Sequence, residues 1–170
     1  RALVELKNKY GYIDKNGDMI ISPEFDIATD FSEGLAAIRV GDKWGYINKN
    51  GQVKIDFLFE RAKPFYEGLA AVSINEKWGY IDKHGNVVID PIFDYACNFS
   101  EGLARFNMGL NSLTRGISLP KGGVWGFLNK LGDIEIVPVY DFISDFENGY
   151  AQVIQGKNSN YIDKKGKLIL

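Results

Sequence analysis

The sequence repeats itself about every 34 residues, and this repetition restricts the possible folds more than any other feature of the chain. Residues 43–51, KWGYINKNG, return 34 positions later at 77–85 as KWGYIDKHG. A glycine follows the aromatic residue in four copies and an asparagine stands there in a fifth, at Gly11, Gly45, Gly79, Gly126 and Asn160. Fixed periods of roughly 20 to 50 residues are typical of solenoids, propellers and arrays of one small unit. The sequence therefore predicts five copies of one unit.

Each copy has the pattern of a small antiparallel meander. In the third copy, apolar side chains alternate with polar or small ones in residues 69–74 and 87–89, which indicates strands with one buried face. Residues 77–82 form the strand between them, and residues 82–85 predict a hairpin turn because glycine adopts positive φ readily. In the linker that follows, 93–99, apolar residues step by three, so we expect it to be irregular or 3₁₀.

The predicted fold class is all-β, a tandem repeat of five three-stranded antiparallel meanders. We expect a single repeat domain over 1–170, with units at about 1–34, 35–68, 69–102, 103–149 and 150–170. Two arrangements fit this pattern, an open twisted array with divergent terminal caps and a small propeller-like ring. Both termini fall at unit boundaries, which suggests either a compact array or a fragment of a longer protein.

The composition limits the chemistry that the chain can perform. Its 20 Lys and Arg against 22 Asp and Glu give a formal net charge of −2, so no overall basic field attracts nucleic acid. One cysteine cannot form an internal disulfide, and one histidine leaves little for zinc or for a histidine base, so we expect no cofactor. The sequence has no apolar run of the roughly 18 residues of a membrane helix, and we expect no charged-then-apolar leader at its N-terminus. We expect no membrane insertion, and the compartment stays open.

Three motifs recur together: KWGYI(D/N)KxG, then VxIDPxFD, then FxEGLA. In this order they resemble the WG-containing, or KWG, repeat of bacterial proteins. The resemblance covers essentially the whole chain and is strongest in the copies that contain Trp44-Gly45, Trp78-Gly79 and Trp125-Gly126. It implies a repeated β module, often in tandem and sometimes attached to other domains. It implies no reaction and supplies no catalytic residue, so we do not expect an enzyme.

Aromatic residues fall at equivalent positions of the copies, and we call each such set a column. One unit of this size cannot bury its own face, so these columns predict a continuous core between units. The tryptophan and tyrosine columns are also candidate platforms for stacking sugars. Their members are Trp44, Trp78, Trp125, Tyr12, Tyr46, Tyr80, Phe127 and Tyr161.

Acidic residues form two further columns. A catalytic carboxylate pair is needed once, whereas a carboxylate that accepts backbone N–H bonds is needed in every repeat, so we predict structural roles. Residues 14–18 faintly resemble the start of a calcium loop but lack its later glutamate, and no metal site is expected. His84 lies in a predicted turn and Cys97 in a linker, with no base assigned to it. The acidic columns are Asp26, Glu60, Asp94 and Asp141, and Glu33, Glu67 and Glu101.

A lysine occupies the same turn position in all five copies. Stacked units would align these side chains along one edge, which suits an anionic polymer such as a cell-wall glycan. The alternative, which we favour, is that they solvate hairpin tips and discourage edge pairing. The lysine column is Lys15, Lys49, Lys83, Lys130 and Lys164.

The fourth copy carries an extra loop at about 107–123. Here 17 residues separate Phe106 from Val124, where other copies have about four. Apolar side chains on a loop commonly mark a contact site, although a folded-back flap or a neutral insertion also fits. The candidate contact residues are Met108, Leu110, Leu113, Arg115 and Ile117.

These features predict a non-enzymatic binding or scaffold module that mediates protein–protein contact within a larger bacterial protein. The alternative is recognition of a glycan or anionic polymer, such as a cell-wall polymer, through the Trp/Tyr or Lys columns. Specific binding of nucleic acid is not expected, because the chain has no net positive charge.

Overall fold

The chain folds into a series of small β-sheets. The computed structural model describes residues 1–109 and 122–169. In these two ranges the chain forms strands and no helix. The strands form five separate antiparallel sheets, and none of these sheets closes into a barrel. The prediction of an all-β tandem repeat is therefore confirmed.

Each sheet takes its strands from one continuous stretch of the chain. The first comprises β1 (Ala2–Leu6), β2 (Lys9–Ile13) and β3 (Met19–Phe25). The second comprises β4 (Ile27–Ala28), β5 (Leu35–Val40), β6 (Lys43–Asn48) and β7 (Val53–Phe59), and the third comprises β8 (Arg61–Ala62), β9 (Ala70–Ile74), β10 (Lys77–Ile81) and β11 (Val87–Phe93). The fourth comprises β12 (Tyr95–Ser100), β13 (Leu103–Met108), β14 (Val124–Asn129) and β15 (Ile134–Tyr140), and the fifth comprises β16 (Phe142–Ile143), β17 (Tyr150–Gln155), β18 (Asn158–Asp163) and β19 (Leu168–Ile169). Consecutive strands pair, so every sheet is a meander.

The linker at 93–99 is not irregular or 3₁₀, and that prediction was wrong, because most of the linker belongs to strand β12. Each linker contains a strand, β4, β8, β12 or β16, that pairs antiparallel with the next strand along the chain and adds a fourth strand to the following sheet. In the fourth sheet Ala96 pairs with Phe106 and Phe99 with Ala104, with a register shift between them. This shift places two residues three apart on the same face, so a bulge in a strand produced the helix-like spacing.

The sheets stack in chain order through two different faces. We call the face toward the next sheet the forward face and the opposite one the reverse face. The forward face of the second sheet presents Leu35, Ala37, Tyr46, Ile55 and Phe59. It packs against the reverse face of the third sheet, which presents Ala62, Phe65, Ala70, Val72 and Ile81. Equivalent clusters join the other consecutive sheets, so one kind of interface is used throughout.

The stack is open at the forward face of the fifth sheet. Tyr46 and Tyr80 are fully buried by the sheet that follows, whereas Tyr161, at the equivalent position, is 55% exposed. Tyr150 beside it is 50% exposed. A closed ring would cover both tyrosines with the first sheet, so the described residues form an open array.

The glycine of the Trp-Gly motif is required by a close approach of the neighbouring strand. The pairing of β6 with β7 shifts register between Trp44 and Tyr46, which brings the backbone of β7 across Gly45. A Cβ atom on Gly45 would lie 2.7 Å from the carbonyl oxygen of Ile55, which is closer than side chains can pack. In the fifth sheet, where Asn160 replaces the glycine, the facing strand is described only as far as Ile169.

Replacement of Trp78 by alanine tests whether the tryptophan column belongs to the core. Trp78 is 6% exposed, and its ring lies 5.3 Å from that of Tyr95 in the next sheet. We expect Trp78→Ala to lower the free energy of unfolding in urea by about 3–5 kcal/mol, the range for a buried large aromatic. Tyr161→Ala is the matched control at an exposed position and should cost less than about 1 kcal/mol. Equal losses in the two variants would contradict this assignment.

Candidate functional site

The first acidic column fixes the hairpin tips. Asp26 accepts a hydrogen bond from the backbone N–H of Gly41 at 2.7 Å and forms an ion pair with Lys9 at 2.6 Å. The hydrogen bond from Lys9 lowers the pKa of Asp26. Glu60, Asp94 and Asp141 accept the equivalent backbone bonds, from Glu76, Gly109 and Gly156 at 2.8, 2.7 and 2.6 Å. The predicted structural role of these carboxylates is confirmed.

The second acidic column joins one sheet to the next. The carboxylate of Glu33, in the second sheet, accepts the backbone N–H of Gly68 at 3.0 Å and pairs with Lys83 at 2.9 Å, both in the third sheet. We call this contact the glutamate bridge. It recurs with distances of 3.0 Å throughout, as Glu67 with Gly102 and Lys130, and as Glu101 with Gly149 and Lys164.

Two of the bridging glutamates, Glu33 and Glu101, have a lowered pKa. Burial alone would raise the pKa of Glu33, but hydrogen bonds from Lys83 and Gly68 outweigh it and lower that pKa. The hydrogen bond from Lys164 is the largest cause that lowers the pKa of Glu101. The bridges therefore hold these glutamates as carboxylates, the form that pairs with lysine.

The lysine column is mostly neutralised by the glutamate bridges. Lys83, Lys130 and Lys164 each pair with a glutamate of the preceding sheet. Lys15 and Lys49 are exposed in the first two sheets. In the described residues, neither of these two has a bridging glutamate in a preceding sheet, because the first sheet consists of β1–β3 and has no turn equivalent to that of Glu33. Three lysines of the column thus link consecutive sheets. Neither of the two hypotheses drawn from the sequence included this role.

The bridging glutamates sit in an unfavourable backbone conformation. Glu33, Glu67 and Glu101 have φ of 51°, 52° and 53° in two-residue turns that continue with glycine. Asparagine is the residue preferred at such a position, and the fifth sheet has Asn148 there, at φ 54°. Glutamate thus occurs where its carboxylate reaches a following sheet, and asparagine occurs where the forward face is open.

The tryptophan and tyrosine columns are largely closed to ligands. Trp78 and Trp125 are buried, and Trp44 is half-buried. The hydroxyls of Tyr12, Tyr46 and Tyr80 donate hydrogen bonds to linker carbonyls of the next sheet, at 2.7, 2.8 and 2.8 Å. The Tyr161 ring is exposed instead.

A groove lies on the forward face of the fifth sheet and encloses about 790 Å³. We call it the terminal groove. Tyr150 and Tyr161 supply aromatic surface, and serine, aspartate, glutamate, asparagine and glutamine side chains surround them. Its lining residues are Ser100, Ser144, Asp145, Phe146, Glu147, Asn148, Tyr150, Gln152, Tyr161 and Ile169.

The base of the extra loop is held firmly. Met108 pairs with Val124 at the end of β13 and β14, and Met108 is 36% exposed. Asp94 holds the backbone N–H of Gly109 as its counterparts do in other sheets. The side-chain amide of buried Asn107 donates to the carbonyl of Gly122 at 3.3 Å. The other predicted contact residues, Leu110, Leu113, Arg115 and Ile117, lie outside the described residues.

The remaining candidate residues have ordinary surroundings. Cys97 is buried, which raises the pKa of its thiol, and His84 is exposed in a turn. The Asp14 carboxylate accepts the backbone N–H groups of Asn16 and Asp18. In the described ranges, no three His, Cys, Asp or Glu side chains are grouped so that they could hold a metal ion. Nor does that part of the chain contain a helix that could span a membrane.

A pair of opposite substitutions tests the glutamate bridge. Glu67→Asn improves the turn residue but removes the bridge to Gly102 and Lys130, and we expect a net loss of about 1 kcal/mol after allowance for solvent screening. Asn148→Glu adds backbone strain with no bridge to form, and should also cost about 1 kcal/mol. Urea unfolding measures both changes. A more stable Glu67→Asn variant would show that the bridge contributes less than the turn strain.

The chain was compared with solved structures, with curated proteins and with models of protein families. A crystal structure of a protein of unknown function from Bacteroides caccae matches with 16% identity and a TM-score of 0.35, over 98% of this chain and 75% of that one. None of the curated proteins compared with the chain matches it. The model of the WG containing repeat matches four times, at residues 10–44, 44–78, 78–109 and 125–158. The chain therefore belongs to the WG containing repeat family.

Proposed function

We propose that the chain is a non-enzymatic binding module that contacts another protein through the extra loop of the fourth sheet. The observation that carries this proposal is the fixed base of that loop. Gly109 is bound by Asp94 just as Gly41 is bound by Asp26 in a hairpin with no insertion. The backbone where the insertion begins is therefore held as in a hairpin without an insertion. The stacked sheets support the loop at this point.

The composition of the loop favours a protein as its partner. Met108 is exposed at the end of β13, and further apolar residues with one arginine follow it in the sequence. Aromatic residues, methionine and arginine are enriched in protein–protein interfaces, and binding residues are often on loops positioned by a rigid scaffold.

The hydrogen bonds and the burial of the polar side chains also fit a binding role. The two acidic columns are engaged in hydrogen bonds that hold hairpins and sheets together. The Cys97 thiol is buried with a raised pKa, so it is poorly suited to act as a nucleophile. These observations favour a scaffold over a hydrolase.

Deletion of residues 110–121, which joins Gly109 to Gly122, tests the loop as a contact site. Photo-cross-linking from position 113 in a bacterial lysate should capture one protein, and Lys157, at another hairpin tip, supplies the control position. The purified partner should bind the deletion variant about tenfold or more weakly than the intact chain, as measured by calorimetry. The melting midpoint should stay nearly unchanged, because Asp94 still holds Gly109.

A second variant separates apolar contact from loop length. Leu110, Leu113 and Ile117 are replaced together by serine, and this variant should lose affinity like the deletion. The proposal is contradicted if the deletion leaves affinity intact, if the melting midpoint collapses, or if no protein cross-links specifically from position 113.

A further inference from the structure

We propose that one side of the stack binds a basic amphipathic helix of a partner protein, laid along the stack so that each heptad of the helix meets one sheet. This side carries β3, β7, β11 and β15, each of which is the edge strand that ends its sheet in the order of pairing. We call these four the outer strands and the side that they form the outer surface. The inference is independent of the loop proposed above as a protein contact.

The outer surface carries exposed apolar side chains in each of the four sheets. The most exposed are Leu58, Val137 and Ile92, at 65%, 62% and 56%. Scattered apolar residues are ordinary on a protein surface, whereas apolar residues concentrated on one surface commonly mark an interaction site. The exposed apolar residues of the outer strands are Met19, Ile20, Val53, Leu58, Val87, Val88, Ile92, Ile134, Val137 and Val139.

Contacts between consecutive sheets make the outer surface continuous. The hairpin turn before β7 lies against β3, because a Cβ atom on Gly51 would be 3.4 Å from the side chain of Ile21. The same contact recurs as Gly85 with Ile55 and as Gly132 with Ile89. Each outer strand therefore adjoins the one before it, and equivalent apolar positions recur once per sheet along the stack.

The backbone of the outer strands is poorly suited to receive another strand. Pro23, Pro91 and Pro138 lie within β3, β11 and β15 and have no N–H to donate. All four outer strands shift register against the neighbouring strand of their sheet, and such bulges disrupt a ladder. Prolines and bulges are devices by which edge strands avoid strand addition. We therefore expect a partner to bind here through side chains, as a helix does.

The charge of the outer surface favours a basic partner over a second copy of the chain. In the equivalent segments 18–25, 52–59, 86–93 and 133–140, Lys54 is the one basic residue. The acidic residues of these segments are Asp18, Glu24, Asp56, Asp90, Asp133 and Glu135, all of them exposed. Two acidic surfaces of this kind would repel each other, whereas lysine or arginine on a partner would be attracted.

The lysines in the hairpin tips beside the outer strands do not reverse this charge. Lys83 and Lys130 are paired with glutamates of the preceding sheet. Lys15 and Lys49 are exposed, but the acidic residues of the outer surface still outnumber these two and Lys54 together.

The spacing of the sheets matches the heptad repeat of an α-helix. Sheets packed face to face lie about 10 Å apart. Seven residues of a helix rise by about 10.5 Å, so a helix along the stack presents the same heptad positions to each sheet. Apolar residues on one face of the helix and basic residues beside them would meet the apolar and the acidic side chains of the outer surface. Four sheets accommodate about 28 residues of helix.

Fluorescence anisotropy with a designed peptide tests the inference on the full chain. The probe has about 28 residues in four heptads, with leucine at the first and fourth positions, lysine beside them and alanine elsewhere. It should bind with a dissociation constant of about 10 µM or tighter and gain helical circular dichroism on binding. A peptide of the same composition in scrambled order should bind about tenfold or more weakly.

Two pairs of substitutions locate the binding site of the probe. Leu58→Ser combined with Ile92→Ser should weaken binding by about tenfold or more. Leu6→Ser combined with Val40→Ser is the matched control, because Leu6 and Val40 are 55% and 47% exposed and lie outside the outer strands. The control should leave the affinity unchanged, and both variants should keep the wild-type melting midpoint because all four side chains are exposed.

A charge exchange tests the electrostatic part of the inference. Asp56→Lys combined with Asp90→Lys should weaken binding of the lysine peptide. The same variant should bind an otherwise identical glutamate peptide more tightly than the wild-type chain does, because the sign of the attraction has been reversed on both partners.

Several results would overturn the helix-binding surface. They are no binding of the lysine peptide at concentrations up to about 100 µM, equal binding of the scrambled peptide, and equal losses in the two serine variants. Self-association of the chain that Leu58→Ser with Ile92→Ser abolishes would also overturn it, because the surface would then be an interface between copies. The variant lacking residues 110–121 should bind the peptide normally, which separates this inference from the proposed protein contact.

Discussion

A sheet of three or four short strands cannot bury two apolar faces by itself, and the structure depends on this constraint. With no helix in the described residues to cover them, the sheets must cover one another. In all four clusters, aromatic and aliphatic side chains of one sheet's forward face pack against apolar side chains on the reverse face of the next sheet. The glutamate bridges make each interface asymmetric, because they connect a turn of one sheet to a glycine and a lysine of the next.

Much of the fold was predictable, because the same signals occur in every copy. The 34-residue period, the glycine at Gly45 and its counterparts, and the hairpin turns all indicated repeated meanders. The linker strands were missed because the bulge between Ala96 and Phe99 changes the spacing of apolar residues from two to three. A single sequence does not distinguish a bulged strand from a short helical turn on spacing alone.

The candidate sites were less predictable, because they depend on contacts between copies. Lys83 and Glu33 are far apart in sequence, and their ion pair follows only from the order and direction of stacking. The lysine column therefore suggested a cationic edge or solvated hairpin tips, whereas Glu33 and its counterparts pair with three of its lysines. Tyr150 and Asn148 break columns that are otherwise uniform, and the fifth sheet has no following sheet among the described residues. Departures from a repeat are as informative as the repeat itself when each column has a known partner.

Native-state hydrogen exchange at low urea concentration tests most directly whether the sheets depend on one another. If each sheet needs its neighbours, the slowest amides of β6, β10 and β14 should exchange through one global opening with a common free energy. That free energy should equal the free energy of unfolding measured in urea. Separate opening energies for the second, third and fourth sheets would contradict the account, since they would show that each sheet holds its structure alone.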